Sequence, residues 1–405
     1  MDDVPYFVTL DEALALIHEH PMELDVERVS LDEAHGRHLS EDLPSLVDDP
    51  AFDNSAMDGF ACQHDPDANY PLTLALAGTV AAAKVGDNPT VDPGHAVRIM
   101  TGAPMPPGTS AMLPIERCEI DEGAGTVTLL ESPKPHFVRK QGENLQAGSV
   151  ALRQGAHMTP ARVGLCATMG YETVPVWQQA RVAIVSTGDE LVPPGTQLAP
   201  GEIYESNSYG LAGLVAWAGH TAVRFSAVSD TEEALREALD EAASTCDLVL
   251  TSGGVSMGEF DLVRALMERE GDMKFWRVKI RPGSPPLFGT WNGTPLFGLP
   301  GNPVSSHVVF RLLVAPFLRR ATGADGPTEW RVRAQLCDRV KSTNDCLTLR
   351  RVTLTSTPEG LMAHQPRHQG SGNLESLASA DALTLLQPGQ SGEVGEWIDV
   401  MVLQA

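Results

Sequence analysis

The stretch RVAIVSTGDE, residues 181–190, decides the fold, because a compact apolar run ends there in a loop of small and acidic residues. The same pattern returns in DLVLTSGGVS at 247–256 and in TPLFGLPGNPVSS at 294–306. The apolar runs have the length of buried strands, and apolar periodicity predicts helices at 206–218, 231–244, 260–270 and 304–320. Strands alternating with helices of this length predict a parallel, three-layer α/β sheet.

The chain on either side of this region has a different pattern of apolar residues. Residues 70–140 contain short apolar runs separated by Gly, Pro and Asp, which is typical of β-structure. Helices are predicted at 8–18 and 159–170, where Thr-x-x-Glu and Thr-Pro signals mark the starts. Short alternating strands return over 329–405. With 405 residues, the fold class is therefore a multidomain α/β plus β protein.

Composition excludes several classes of function. The balance of 29 Lys+Arg against 53 Asp+Glu gives a formal net charge of -24, so no basic face for nucleic acid is expected. No apolar run approaches the ~18 residues of a membrane helix. The acidic N-terminus does not resemble a signal peptide, and the 6 cysteines form no CxxC pair. We therefore expect a cytoplasmic protein with reduced thiols and no membrane partner.

Three loops follow the predicted strands of the α/β region. Ligands of open α/β sheets bind at the carboxyl ends of the strands, and helix N-termini attract anions there. These loops combine glycine with small polar residues and predict a phosphate or oxyanion site, although any one of them alone could be a tight turn. The candidate binding residues are Ser186, Thr187, Gly188, Ser252, Gly253, Gly254, Ser256, Pro300, Gly301, Asn302 and Pro303.

Five carboxylates belong to the same loops: Asp189, Glu190, Asp230, Glu259 and Asp261. Carboxylates beside a phosphate site repel the ligand unless a cation lies between them. A Mg²⁺ ion, or a similar divalent ion, shared by one or two carboxylates and a substrate phosphate would remove the conflict. Asp230 has an equally good alternative as the N-cap of the helix that follows it.

A cationic segment occurs in this acidic chain. Strand alternation would place Arg277, Lys279 and Arg281 on one face, where they could offset the charge of an anion or simply face solvent. Two earlier segments, at 52–60 and 98–104, are dense in small polar residues and could be ordinary turns.

Together these segments resemble the molybdopterin molybdenumtransferase family, which includes the C-terminal domain of gephyrin. The resemblance covers nearly the whole chain and rests on motifs that occur in the family's order. They are FDNSAMDGFA (52–61), RIMTGAPMPPG (98–108), STGDEL (186–191), TSGGVSMGEFD (251–261), RPGSPPLFG (281–289), GLPGNPVSS (298–306) and GEVGEWIDV (392–400).

The resemblance implies a four-part subunit that forms a homodimer. The site would lie between the α/β domain of one subunit and the inserted β-domain of the other. The implied parts are a linker and dimerisation domain (1–48 and 141–177), an inserted β-domain (49–140), an α/β molybdopterin-binding domain (178–326) and a C-terminal β-domain (327–405).

The family's reaction takes adenylylated molybdopterin and molybdate as substrates, inserts molybdenum and releases AMP with the help of Mg²⁺. The implied catalytic residues are Asp58, Thr101, Glu190, Asp230 and Asp261. We add Asp189 as a hypothesis and expect Glu190 and Asp261 to be the metal ligands. Asp58 and Thr101 would come from the partner subunit, and Arg277, Lys279 and Arg281 would offset the anionic charge. Other proteins of cofactor synthesis and apo-molybdoenzymes are possible partners.

Two positions depart from the family's pattern. Asn144 replaces the aspartate of a Gly-Glu-Asp segment, which puts an acid, base or metal role at 144 in doubt. Ser284 follows Arg281-Pro-Gly where the family often has lysines, so one cation is lost there.

Two other functions fit part of the pattern. A molybdopterin adenylyltransferase uses the same kind of α/β domain but needs only that domain. A non-catalytic molybdopterin-binding scaffold would keep the fold and lose the acidic residues that are present here.

Overall fold

The largest element is a seven-stranded sheet built from distant parts of the chain. The computed structural model describes residues 4–82, 89–255 and 261–403. The strands are β1 (Tyr6–Val8), β2 (Arg181–Ser186), β3 (Thr221–Arg224), β4 (Leu248–Ser252), β5 (Asp272–Val278), β6 (Leu287–Trp291) and β7 (Thr294–Leu299). Their spatial order is β1-β5-β6-β7-β4-β2-β3. The strands β7, β4 and β2 are neighbours, so the three loops that follow them lie at one edge of the sheet.

The sheet is mixed, and the prediction of a parallel sheet was wrong in this respect. β6 pairs antiparallel with both β5 and β7, whereas every other pairing in the sheet is parallel. The cause is a hairpin between β6 and β7 whose two loop residues, Asn292 and Gly293, have φ of 50° and 85°. Positive φ at two adjacent residues is what a tight hairpin turn requires, and Asn-Gly adopts it readily.

Eight α-helices occur in the described part of the chain. They are α1 (Leu10–His18), α2 (Pro160–Thr168), α3 (Asn207–Trp217), α4 (Glu232–Thr245), α5 (Leu262–Arg269), α6 (Pro303–Val309), α7 (Ala315–Ala321) and α8 (Leu374–Ala378). A π-helical turn, Phe310–Val314, connects α6 to α7, and short 3-10 turns occupy Ile115–Arg117 and Pro135–Phe137. The predicted capping box is present, since Thr9 and Glu12 exchange hydrogen bonds at the start of α1. None of these helices is long and apolar enough to cross a bilayer.

Alternate side chains of β2 pack into two separate cores. Val182 and Ile184 contact the cluster that includes α3 and α6, whereas Ala183 and Val185 contact the cluster that includes α4 and α5. A strand whose two faces are both apolar is buried on both sides. The carboxyl ends of β2, β4 and β7 are therefore held by packing from both faces of the sheet.

Residues 6–18 belong to the α/β core. β1 pairs with β5, and Ala13 and Ile17 of α1 are fully buried in the same cluster as β2 and β4. The segment 1–48, expected to belong to the linker, is thus divided between two units. Its later part forms short pairs with residues from the 141–177 segment, namely Val26–Ser30 with Thr173–Trp177 and Leu43–Pro44 with Val150–Leu152.

Two β-units complete the molecule. A six-stranded sheet has the order Ala111–Pro114, Gly59–Cys62, His95–Ile99, Leu72–Val80, Thr126–Leu129 and Cys118–Asp121. A closed barrel has the order Arg331–Leu336, Gly360–His364, Arg351–Thr357, Ala382–Thr384 and Trp397–Val402. The remaining pairs are Asn54–Ser55 with Val138–Arg139, Leu191–Val192 with Ile203–Tyr204, Ile280–Arg281 with Leu347–Thr348, and Val340–Lys341 with Ser391–Gly392.

Candidate functional site

The loops after β2, β4 and β7 surround a cavity of about 380 Å³, called here the loop cavity. Backbone hydrogen bonds tie each loop to the next, because Thr187 N donates to Ser252 O at 3.1 Å and Gly253 N donates to Leu299 O at 3.0 Å. The lining includes Ser186, Thr187, Gly188, Glu190, Glu205, Asn207, Asp230, Ser252, Gly253, Gly254, Gly301, Pro303, Gly372 and Leu374. The structure thus brings together most of the residues that the sequence predicted for phosphate or oxyanion binding.

Two glycines give the second loop its shape. Gly253 and Gly254 have φ of 103° and 67°, values that side-chain-bearing residues rarely adopt. A Cβ atom on Gly253 would lie 3.0 Å from Thr187 Oγ1 and 3.1 Å from Thr187 O. The close approach of these two loops therefore depends on the absence of a side chain at 253.

Carboxylates occupy one side of the loop cavity. Glu190 and Asp230 line it. Two hydrogen bonds from backbone N–H to carboxylate join Asp189 to Asp230: Asp189 N donates to Asp230 Oδ2 at 3.3 Å, and Asp230 N donates to Asp189 Oδ1 at 3.1 Å. Burial raises the pKa of Asp230, and the charges of Asp189 and Glu190 raise it further. Crowded carboxylates of this kind favour a cation between them.

The start of α3 and the segment just before it contribute two residues that the sequence reasoning missed. Glu205 is 7% exposed and accepts hydrogen bonds from Ser186 Oγ at 3.1 Å, Ser208 N at 2.7 Å and Ser208 Oγ at 2.5 Å. Asn207 Nδ2 donates to Ser252 Oγ at 2.8 Å and to Gly301 O at 2.7 Å. One amide therefore links the second and third loops. The available signal was the polar run Glu205-Ser206-Asn207 at the start of the predicted 206–218 helix, which indicates a helix start as readily as a binding site.

A second cavity, of about 470 Å³, lies beside the third loop and is called here the basic cavity. Its lining includes Arg277, Arg281, Gly283, Ser284, Asn302, Ser305, Thr343, Thr348, Leu349, Arg350, Gln369 and Ser371. Six of its 14 lining residues come from the C-terminal unit, which is joined to the α/β unit here by the parallel pairing of Ile280–Arg281 with Leu347–Thr348. Three arginines in one lining make this a candidate site for an anion.

The loop cavity and the basic cavity share their walls. Gly301 lines the first and Asn302 the second, and in the same way Gly372 lines the first and Ser371 the second. Val304 N at the start of α6 donates to Ser371 O at 3.1 Å, which joins the two walls. A substrate group in one cavity would therefore lie next to a group bound in the other.

Lys279 does not join the arginines. Arg277 and Arg281 line the basic cavity, whereas Lys279 lines a different cavity together with Asp11 and Asp345. The reason is the backbone at Arg277, whose φ of 66° interrupts the extended alternation on which the expectation of one shared face was based. Ser284, one of the departures from the family's pattern, lines the basic cavity and is buried, with its hydroxyl donating to Ile280 O at 2.8 Å.

Asp58 and Thr101 form a pair of their own in the inserted β-unit. Thr101 N and Thr101 Oγ1 each donate to Asp58 Oδ1 at 2.7 Å, and these bonds hold the pKa of Asp58 below its usual value. Both residues are exposed, and neither lines the loop cavity of the same chain. Asn144 donates to Asp49 Oδ2 at 3.0 Å, so the amide at this position is held in a loop contact.

The remaining candidates lie at the margins of the loop cavity. Asp261 is the N-cap residue of α5 and does not line this cavity. Pro303 lines the cavity as the first residue of α6, and Pro300 O accepts a bond from Ser306 Oγ at 2.6 Å. Ser256 and Glu259 lie outside the described residues.

Comparison with protein-family models covers almost the whole chain. Residues 8–170 match the MoeA N-terminal region (domain I and II), 183–320 match a probable molybdopterin binding domain, and 333–403 match the MoeA C-terminal region (domain IV).

Individual relatives agree with these matches. A molybdopterin molybdenumtransferase of Haemophilus influenzae is 39% identical over 321 residues, 78% of this chain and 78% of that protein. Molybdopterin molybdenumtransferase 2 of Mycobacterium tuberculosis is 37% identical over 366 residues, 88% of this chain and 89% of that protein. The crystal structure of a molybdopterin biosynthesis MoeA protein from Pyrococcus horikoshii gives a TM-score of 0.84 at 28% identity and covers 98% of this chain and 100% of that one. The fold, the family-model matches and the relatives together show that the chain belongs to the molybdopterin molybdenumtransferase (MoeA) family.

Proposed function

We propose that this chain inserts molybdenum from molybdate into adenylylated molybdopterin and releases AMP. The observation that carries the proposal is the adjacency of two cavities of different chemistry, divided by Gly301–Asn302 and by Ser371–Gly372. One offers backbone amides, hydroxyls and carboxylates, and the other offers arginines. A reaction that joins a phosphate-bearing substrate to an oxyanion needs both, side by side.

In the proposed reaction, two Mo–S bonds and one P–O bond form, one Mo–O bond and one P–O bond break, and no oxidation state changes. The two dithiolene sulfurs bind molybdenum, and one oxide of molybdate leaves as water with the two thiol protons. Separately, water adds across the phosphoanhydride: its hydroxyl goes to one phosphorus, and AMP leaves with the remaining proton. The described side chains of the site hold and orient these groups and need no redox partner.

The loop cavity is the proposed place of the phosphoanhydride. We assign the phosphate contact to the amide of Gly254 at the end of β4, because the amide of Gly253 already donates to Leu299 O at 3.0 Å. Ser186 and Ser252 are buried and line the same cavity, where they supply hydroxyls. Amides of this kind bind phosphate oxygens without adding counter-charge.

The residues present fit a divalent ion in the loop cavity. Glu190 and Asp230 both line it; burial first, and then the charges of Asp189 and Glu190, raise the pKa of Asp230, so a cation there would relieve repulsion between the carboxylates. Within the described residues there is no group of three or more Asp, Glu, His or Cys side chains that could hold a metal alone. Mg²⁺ is commonly held by one or two carboxylates plus substrate phosphate, and it would supply charge neutralisation and polarisation of the phosphoanhydride. We propose Glu190 and Asp230 as its ligands, with Asp261 at the margin.

The basic cavity is the proposed place of molybdate. Arg281 and Arg350 come from different units and line it together with Ser371 and Asn302. Guanidinium forks bind tetrahedral oxyanions through paired N–H donors. The overall charge of -24 makes such a local cationic site necessary.

We further propose a cytoplasmic homodimer in which the Asp58–Thr101 pair completes the site of the other subunit. Support comes from their exposure and from the exposed apolar side chains beside them, Phe52 and Met57, each 39% exposed. An exposed apolar rim around a fixed carboxylate suits a surface that becomes covered. Other proteins of cofactor synthesis and apo-molybdoenzymes remain proposed partners.

The test compares wild-type protein with Glu190→Ala and with Glu233→Ala, a matched control on the exposed start of α4. Each is given adenylylated molybdopterin, Mg²⁺ and molybdate, and AMP release is followed. We expect Glu190→Ala to lose most of its AMP release and to need more Mg²⁺, while Glu233→Ala matches wild type. Equal rates in all three would contradict the metal-site assignment.

Two further assays separate the alternative functions. An adenylyltransferase would form adenylylated molybdopterin from ATP and molybdopterin, which we expect this protein not to do. A scaffold would bind adenylylated molybdopterin and never release AMP with molybdate present.

A further inference from the structure

The C-terminal unit contains a buried arginine that the mechanism above does not use. Arg351, at the start of the Arg351–Thr357 strand, is 1% exposed and is one of the largest fully buried side chains. Its neighbour Arg350, directly before the strand, lines the basic cavity, whereas Arg351 does not. A fully buried guanidinium is rare and costly unless a carboxylate accompanies it.

No carboxylate accompanies Arg351 among the residues that the structure describes. Arg351 takes part in none of the salt bridges, and its Nε is buried without a hydrogen-bond partner. Burial, and then the charge of Arg350, lower the pKa of Arg351, yet an arginine stays charged in proteins. The C-terminal unit therefore holds an unbalanced positive charge behind the wall of the basic cavity.

The bonds that Arg351 does make all go to one segment, residues 366–370. Its Nη2 donates to His368 O at 3.2 Å and to Gly370 O at 3.1 Å. Gln369 completes the contact from the other side, since Arg351 N donates to Gln369 Oε1 and Gln369 Nε2 donates to Arg351 O, both at 3.0 Å. Four hydrogen bonds thus fix this short, irregular segment to one residue of the barrel.

The same segment continues into the wall between the two cavities. Gln369 and Ser371 line the basic cavity, and Gly372 lines the loop cavity. Ser371 O also accepts the bond from Val304 N at the start of α6. Residues 368–372 therefore connect Arg351 to the linings of both cavities.

We propose that Arg351 is a positioning residue for the oxyanion: it holds the 366–371 segment as the wall of the basic cavity and adds its unbalanced charge to the field there. This inference rests on the proposed placement of molybdate in the basic cavity. Arg351 itself touches no substrate. An oxyanion in the cavity would supply the counter-charge that the protein does not provide, and its binding would gain from the charge of Arg351.

The experiment measures molybdate binding by calorimetry, and AMP release, for wild type, Arg351→Met, Arg351→Lys and Arg333→Met. The last is a matched control, because exposed Arg333 in the same barrel also donates to a backbone carbonyl, Trp397 O at 2.8 Å. For Arg351→Met we expect the Kd and KM for molybdate to rise at least about tenfold, the change that corresponds to losing charge-assisted hydrogen bonds. The kcat at saturating molybdate and the KM for adenylylated molybdopterin should stay within about twofold of wild type, a split that a general loss of structure would not produce.

Arg351→Lys keeps the charge and loses the fork, so its molybdate Kd should fall between wild type and Arg351→Met. A wild-type Kd in Arg351→Met would overturn the inference. If that variant does not fold, Arg351→Lys decides, and a wild-type Kd there would overturn it equally. Failure of wild type to bind molybdate would instead refute the proposed function, so the two failures are distinguishable.

Discussion

Asn207 offers the sharpest test of how the loop cavity is held together. Its Nδ2 donates to Ser252 Oγ at 2.8 Å and to Gly301 O at 2.7 Å, so Asn207→Ala removes the only side-chain amide that joins these loops among the described residues. The orientation of the amide is set by Gly301 O, which can only accept. The perturbation is therefore well defined: two donated bonds disappear, and the carbonyl of the exposed Gly301 remains accessible to water.

The magnitude follows from these bonds. Each is worth about 1 kcal/mol net, so a total of about 2 kcal/mol is expected. If this energy positions the loops in the transition state, kcat/KM falls roughly 30-fold. If it only stabilises the fold, the thermal midpoint falls and kcat/KM of the folded protein does not.

The assay is molybdate-dependent AMP release, measured as kcat/KM well below the unfolding temperature, together with the thermal midpoint. Asn69→Ala, an exposed asparagine in the inserted β-unit, is the control for a simple amide deletion. An Asn207→Ala protein with wild-type kcat/KM would refute the view that this amide aligns the second and third loops.

Three other predictions concern stability and loop shape. His38 is 7% exposed, and burial, with the charges of neighbouring groups, lowers its pKa to about 3, so the stability it contributes is complete above about pH 6.5 and is lost as the pH falls toward 3. At pH 5 about 2 kcal/mol of the free energy of unfolding is lost in this way. A His38→Gln protein should therefore show a flatter dependence of the thermal midpoint on pH between 7 and 5. Phe288 is fully buried among three other phenylalanine rings. Calorimetry of Phe288→Ala should show that the free energy of unfolding falls by about 3–5 kcal/mol. Val394→Ala, at a 66% exposed position, should change it little. Gly253→Ala forces a side chain onto a residue at φ 103° and 3.0 Å from a threonine hydroxyl, so the KM for adenylylated molybdopterin should rise strongly, while Gly164→Ala inside α2, with no atom within 4 Å, should leave it unchanged.

Local signals in the sequence predicted the helices well. The Thr9–Glu12 capping box and the Thr159-Pro160 start both appear where they were expected. These signals work because they satisfy the free amides of the first helical turn within four residues of sequence. Strand direction has no such local signal, so β6 was not anticipated. The Asn292-Gly293 pair was the available clue to its hairpin.

The candidate site was predictable where loops follow strands and not where distant segments meet. Gly253, Glu190 and Asp230 could be placed together because neighbouring strands end at one edge of the sheet. Arg350 and Gln369 reach the basic cavity only through the packing of the C-terminal unit, and no periodicity reports that. Lys279 does not share the face predicted for it with Arg277 and Arg281. The positive φ at Arg277, which interrupts the alternation, cannot be predicted from residue types.

The measurement that tests the central claim most directly uses wild-type protein alone. It is incubated with adenylylated molybdopterin and Mg²⁺, with and without molybdate, while AMP release and reactivation of a molybdenum-free apoenzyme are followed together. The proposed function predicts that AMP and active cofactor appear in parallel and only when molybdate is present. AMP release at the same rate without molybdate, or bound substrate that never yields active cofactor, would contradict it.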